Sequence, residues 1–241
     1  MLRLEFSKKT LMRRLKGHEI LSKIGITVPA VIWHDLRTRI FKKYGAYFFV
    51  ESFMPGRHFK GGSGSRHFGA CLGRATARMH RVSSWSYGWP GELRLPGRLF
   101  GGLKLRIKVQ NQLKILSKKD RQLAVLISEW LKEQPIALWF PRPRLTTGGF
   151  ISSNLLLNEK DVVILDLARV RYGFAPRDLV QIKLLLKDDP IARKMLFKSY
   201  KETLGIEVWN ELKRYIPFFE AIFGIRLAAK GKDVNFSKLL Y

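Results

Sequence analysis

The stretch that decides the fold runs from Pro143 to Asp178, PRLTTGGFISSNLLLNEKDVVILDLARVRYGFAPRD. Two short apolar runs, Leu155 to Leu157 and Val162 to Leu165, flank the polar Asn158-Glu159-Lys160-Asp161. That pattern predicts a β-hairpin. Asn154 precedes the first run and Asp166 follows the second, so the two residues share one end of the hairpin. An amide and a carboxylate placed this way suit a hard cation such as Mg²⁺, shared with nucleotide phosphates. A hairpin that merely ends in two polar residues has the same spacing.

Outward from this hairpin the chain alternates in character. Upstream, Leu2 to Phe6 alternates apolar with charged residues and predicts a strand. Ser7 is placed to cap a helix that Gly25 ends. Ala30 to Trp33 and Ala46 to Met54 suit strands, with Arg37 to Lys43 between them as an exposed turn. Gly61 to Ser65 (GGSGS) marks a lobe boundary, dividing residues 1–60 from 61–241. Helical patterns cover Arg66 to Arg81, Leu103 to Leu116 and Lys119 to Gln134, and Trp85 to Gly102 reads as irregular. Downstream, helices are predicted over Leu179 to Lys187, Pro190 to Leu204 and Val208 to Phe223. The fold class is α+β, with a small strand-rich lobe and a larger helical one.

The same residues resemble a known family, the aminoglycoside phosphotransferases of the protein-kinase-like fold. That family's catalytic stretch runs roughly PRLVHGDxHPSNLLV, then a hairpin, then IDFxxARxGDPxxDLA. This chain has PRLTTGGFISSNLLL, then ILDLARVRYGFAPRDLV. MLRLEF is similar to the strand that presents a basic residue to phosphates, and LKGHEILSKIGITVP to the helix with the partner glutamate. YFFVESFMPG resembles the hinge strand, ARMHR the close of the first large helix of the second lobe, and FKSYKETLG a late helix.

The resemblance implies ATP and Mg²⁺ as cofactors and a small-molecule hydroxyl as acceptor. It implies that Asn154 and Asp166 hold the metal and that Arg3 contacts phosphates with Glu19 as its partner. Glu51 to Met54, including Phe53, would be the hinge that holds adenine through the backbone. Asp178 would be a structural carboxylate behind the metal site.

Three departures matter. The family's catalytic aspartate falls on Gly149 and the histidine before it on Thr147, and LTTGGFISS contains no acid. That aspartate accepts or orients the substrate hydroxyl, and losing such a group costs about 10²–10⁴ in rate. The glycine-rich phosphate loop that precedes the MLRLEF position in the family is missing, so either the fold has decayed or the natural start lies upstream. Arginine stands at position 3 where lysine is usual, and a planar guanidinium is a poor copy of an ammonium point charge.

Charge and composition bound the rest. The 241 residues carry 45 Lys plus Arg against 19 Asp plus Glu, a formal charge of +26. A field of that size implies polyanionic company. The basic stretch Arg94 to Arg121 holds a single acid, Asp120. It disfavours a cationic aminoglycoside and favours an anionic acceptor such as a phosphorylated glycan or a lipid headgroup.

Two alternatives to an impaired phosphotransferase follow. One is a noncatalytic pseudokinase that binds an anionic partner. The other is an enzyme of the lipopolysaccharide-kinase type, in peripheral contact with an anionic membrane. Nucleic acid is a weaker partner, because no reading module is present. No run reaches the roughly 18 apolar residues of a membrane span, and the expected location is the cytoplasm. One cysteine, Cys71, excludes a disulfide framework and lies on an apolar helix face, so a buried structural thiol is expected. The five histidines lack metal spacing, and His80 is expected to pack at a helix end beneath the catalytic loop.

Overall fold

A computed structural model describes residues 1–59, 65–92, 98–232 and 234. The first lobe contains β1 (Leu2–Glu5), α1 (Lys8–Lys23), β2 (Val31–Asp35), α2 (Thr38–Tyr44) and β3 (Tyr47–Glu51). The strands form an antiparallel sheet in the order β1-β3-β2, with Arg3 opposite Phe49. The Ser7 hydroxyl caps α1 by accepting from the Thr10 N–H. Alternation along β1 turns Arg3 and Glu5 to the less exposed side and leaves Leu2 and Leu4 in solvent.

The burial stripe of α1 is Leu11, Arg14, His18 and Leu21, spaced three or four residues apart as one helical face requires. Gly17 on this helix allows a close approach. A Cβ there would lie 2.6 Å from the Leu167 carbonyl oxygen, so α1 rests directly on the turn after the hairpin.

β4 (Arg57–His58) pairs with the hairpin strand β6 (Leu155–Leu157), which pairs with β7 (Val162–Ile164). The chain has therefore joined the second lobe's hairpin by Arg57. Gly61 to Gly64, most of the expected lobe boundary, lie outside the described residues, and Ser65 begins α3 (Ser65–Arg81). The hairpin forms as predicted, with Leu155 opposite Ile164. β5 (Arg144–Thr146) pairs with β8 (Arg171–Gly173) and carries the chain into the catalytic-loop position. The helices of this lobe are α4 (Arg98–Ser117), α5 (Arg121–Glu133), α6 (Ala175–Leu185), α7 (Pro190–Leu204), α8 (Ile206–Lys213) and α9 (Ile216–Ala229). One core gathers α3, the hairpin and α7 around Phe68, Leu72, Leu155 and Leu196, and it also takes in Leu21 of α1. A second core joins α4, α5 and α9 around Ile127, Trp139 and Phe218.

Three expectations are corrected. Arg37 to Lys43 is not an exposed turn, because most of it forms α2. Phe41 stacks on Tyr47 with ring centroids 4.9 Å apart, and Gly45 closes the helix at φ 69°. Trp85 to Gly102 is not irregular throughout, since α4 begins at Arg98. Val208 to Phe223 is not one helix but parts of α8 and α9. Pro217 lies in the first turn of α9, where its missing N–H has no partner to lose.

Gly17→Ala should destabilise the protein. Alanine gains about 1 kcal/mol of helix propensity, but pushing α1 off the Leu167 turn costs about 1–3 kcal/mol. A lower urea midpoint is expected, measured by circular dichroism.

Candidate functional site

The site is built on the loop after β5. Asp178, only 2% exposed, accepts from the Thr147 N–H at 3.0 Å and from the Thr147 hydroxyl at 3.3 Å. The Gly149 N–H donates to Thr147 Oγ1 at 3.3 Å, so the fold of the loop passes through this one threonine. On the far side, His80 Nε2 lies 3.9 Å from Asp178 and His80 Nδ1 shares a 2.7 Å hydrogen bond with the Tyr200 hydroxyl. Arg144 Nη1 donates to the His80 carbonyl at 2.8 Å, and Nη2 reaches Glu211 at 2.7 Å. His80 sits at the end of α3 beneath the loop. Its burial disfavours the imidazolium, an effect larger than the opposing pull of Asp178, and its pKa falls below the usual 6.5. Burial likewise raises the Tyr200 phenol well above its ordinary value.

Gly149 leaves room for a side chain. A Cβ built there would have as nearest neighbours Arg169 Nη1 at 3.9 Å and Gln181 Oε1 at 4.0 Å, both ordinary contacts. That Gln181 oxygen is buried and makes no hydrogen bond. A carboxylate at position 149 would thus find space, a guanidinium and a side-chain amide.

The hairpin brings Asn154 and Asp166 to one end. Leu165 N–H donates to the Asn154 carbonyl at 2.9 Å, which sets Asp166 one residue beyond the pairing. Asp166 adopts φ 39° and ψ 69°, the one non-glycine residue at positive φ among those described. Aspartate tolerates this left-handed conformation better than most residues. The donor set of one carboxylate and one amide is hard-oxygen in character and fits Mg²⁺, which takes only one or two protein ligands beside water and phosphate. Asp166 Oδ1, however, already accepts from Arg14 Nη2 at 3.0 Å.

The strand–helix pair differs from the expected one. Glu19 does not meet Arg3. It is exposed and bonded to Lys16 and Lys23, both at 2.7 Å, and these two lysines hold its carboxyl down at about 2. Arg3 pairs instead with the buried carboxylate of Glu51. His18 Nε2 lies 3.7 Å from the same carboxylate, while His18 Nδ1 is 2.8 Å from the Pro29 carbonyl. Burial lowers the His18 pKa and outweighs both of these contacts. Arg14 on α1 bonds Glu5 on β1 at 2.7 Å as well as Asp166. The helix therefore carries the cation and the strand the anion, opposite to the expected polarity. Sequence reasoning missed Arg14, His18 and Glu5. The period of α1 could have found Arg14 and His18, which share the buried stripe, whereas Glu19 lies about 100° around the helix from His18.

At the hinge, Glu51 takes part through its side chain as well as its backbone, and its N–H donates to the Met1 carbonyl at 3.0 Å. Ser52 N–H donates to Ala30, and Phe53 is 78% exposed. Cys71 is fully buried, with Arg74 Nη2 3.1 Å from its sulfur, and burial pushes its pKa up. A buried thiol of that kind is a poor nucleophile. Among the described residues no helix is long and apolar enough to cross a membrane.

A small antiparallel sheet packed by helices, a helical second lobe and a hairpin carrying Asn and Asp together define a kinase-like two-lobe phosphotransferase fold. The comparisons agree. The model of the Phosphotransferase enzyme family matches residues 7–213, and the chain belongs to that family. No curated protein sequence matches it.

Solved structures share the fold at low identity. A ternary complex of APH(2'')-IIa with streptomycin and ATP is 12% identical, with a TM-score of 0.56, over 97% of this chain and 78% of that one. A choline/ethanolamine kinase family protein from Mesorhizobium loti is 14% identical, with a TM-score of 0.55, over 97% and 75%. The aminoglycoside phosphotransferase APH(3'')-Id from Streptomyces rimosus is 15% identical, with a TM-score of 0.52, over 90% and 81%.

The lowered pKa values of His18 and His80 set a pH dependence. Both imidazoles are held neutral when folded and bind a proton freely when unfolded, so the unfolded state takes up more protons below about pH 6.5. Stability should hold above that pH and fall as pH drops through it. Urea midpoints between pH 7.5 and 5 should show the decline, and His80→Gln should make it shallower.

Proposed function

We propose that the protein is an ATP- and Mg²⁺-dependent phosphotransferase of small-molecule hydroxyls in which the transfer step is impaired at Gly149. The observation that carries this reading is the contrast around the loop. Asp178, Thr147, His80 and Tyr200 keep a complete scaffold, yet the residue it presents has no side chain. In this reading Asn154 and Asp166 hold the Mg²⁺, which neutralises phosphate charge and orients the transferred group. In the same reading the backbone of Glu51 to Met54 would hold adenine, and Arg3, paired with Glu51, would contact the phosphates. The acceptor hydroxyl would approach Gly149, where no group of the chain takes its proton.

The ion pair between Arg14 and Asp166 favours a second reading, a noncatalytic module. A guanidinium already balances the carboxylate that a metal would use, so nucleotide can bind weakly or not at all.

Thermal unfolding with Mg-ATP, repeated with EDTA, separates the two. Ligand at about 100 times Kd adds roughly 2.7 kcal/mol, or about 5–10 °C for a chain of this size. The phosphotransferase reading expects a shift that EDTA and Asp166→Ala both abolish, and no shift at millimolar nucleotide leaves the noncatalytic module. Gly149→Asp should fold normally, given the space around it. If nucleotide binds, that variant should raise nucleotide turnover by about 10²–10⁴. An unchanged rate would mean that the missing carboxylate is not what limits the chain.

A further inference from the structure

A cavity of about 260 Å³ opens on the second lobe between α4, β8, α6 and α9, and it reaches Gly148 beside the vacant loop position. Its walls are apolar and aromatic, with Leu105, Val109, Trp89, Phe174, Phe219 and Phe223 among them. Its charged lining is cationic but for Asp178. Arg171, Arg177 and Arg226 project into it half-buried, and Lys104 and Lys108 stand at its rim. Among the described residues none of these five cations pairs with a carboxylate. Asp178, the one acid in the lining, is already committed to Thr147.

This arrangement is costly for the empty protein. Charges taken out of water need partners, and the cavity gathers five cations around the single acid Asp178. Burial first, and then Arg171, disfavour the charged form of Arg177; Asp178 opposes them, and Arg226 and Arg169 add to them. Lys108 is disfavoured by burial and by Arg177, Arg226 and Arg171. Asp178 offsets part of this positive charge, and an anion from outside would offset the rest. Guanidinium forks match phosphate oxygens in pairs, and the aromatic walls match an apolar body rather than a bare ion.

We infer that this cavity binds a phosphate monoester that carries an apolar or ring-shaped body, with Arg171, Arg177 and Arg226 as the phosphate clamp. The ligand site stands on the cavity and its charges alone. Its use as the acceptor site rests on the phosphotransferase reading. A soluble phosphomonoester and a phosphorylated lipid headgroup present the same chemistry, and the aromatic floor excludes neither.

The test uses the full chain without nucleotide, so its outcome is independent of the ATP site. Calorimetric binding of 1-naphthyl phosphate is compared with that of neutral 1-naphthol. Sedimentation with phosphatidylcholine vesicles containing phosphatidic acid forms the second arm. Arg177→Met and Arg226→Met are measured beside the parent chain. Each lost charged hydrogen-bond donor should weaken binding about 10–100-fold, and added salt should weaken the parent's binding at the cavity rim.

Each variant alone, without ligand, should melt at or above the parent temperature, because an unpaired cation has been removed. A purely structural arginine would give the reverse. Naphthyl phosphate binding that depends on Arg177 identifies a soluble source, and Arg177-dependent sedimentation identifies a lipid source. Either supports the clamp. The inference is overturned if naphthol binds as well as its phosphate, or if binding in both arms is unchanged in both variants. It is also overturned if neither probe binds the parent.

Discussion

The Asp178 carboxylate is almost wholly removed from water, and the second lobe is arranged around keeping it there. A buried carboxylate is tolerable only when hydrogen bonds replace its hydration. Thr147 supplies two from the loop, one through its backbone and one through its hydroxyl. His80 approaches from the end of α3 and is anchored in turn by Tyr200 of α7. Arg144 ties the same helix end to α8 through Glu211. Four helices and the loop strand therefore share one electrostatic centre. The loop's shape follows from that centre rather than from the residue at its tip, which is why Gly149 can stand there without the loop collapsing.

The cleft between the lobes obeys a second constraint. α1 lies close enough to the Leu167 turn that only glycine fits at position 17. That approach carries Arg14 over Asp166 and sets His18 against Glu51. The first lobe thus meets the second through ion pairs as well as through apolar contact at Leu21. Asp166 is held at its strained backbone angle at the point where these contacts converge.

Much of this was legible in the chain. The hairpin, its two polar ends and the α+β order follow from runs of Leu and Val around Asn158 to Asp161, because strand period and turn chemistry are local. The partner of Arg3 was not legible from motif spacing, which pointed to Glu19. Arg3 meets Glu51 across the paired strands β1 and β3, while Glu19 is turned away from them because Leu11 and Leu21 fix the face that α1 buries. The break between α8 and α9 needed Pro217 to be weighed against a long apolar run. The basic character of α4 was plain in the sequence. The convergence on one cavity of Lys108 with Arg171, Arg177 and Arg226 was not, since these residues lie on four separate elements.

The reversed polarity of the Glu5–Arg14 pair also constrains the route by which this chain could change. Replacing Arg14 with an acid would crowd a third carboxylate against Glu5 and Asp166. Replacing Glu5 with a base would set two cations together beside Arg3. Each single step passes through electrostatic repulsion, and only the paired exchange escapes it. The pair therefore behaves as an epistatic lock: selection acting one substitution at a time would hold the arrangement in place whether or not it served catalysis.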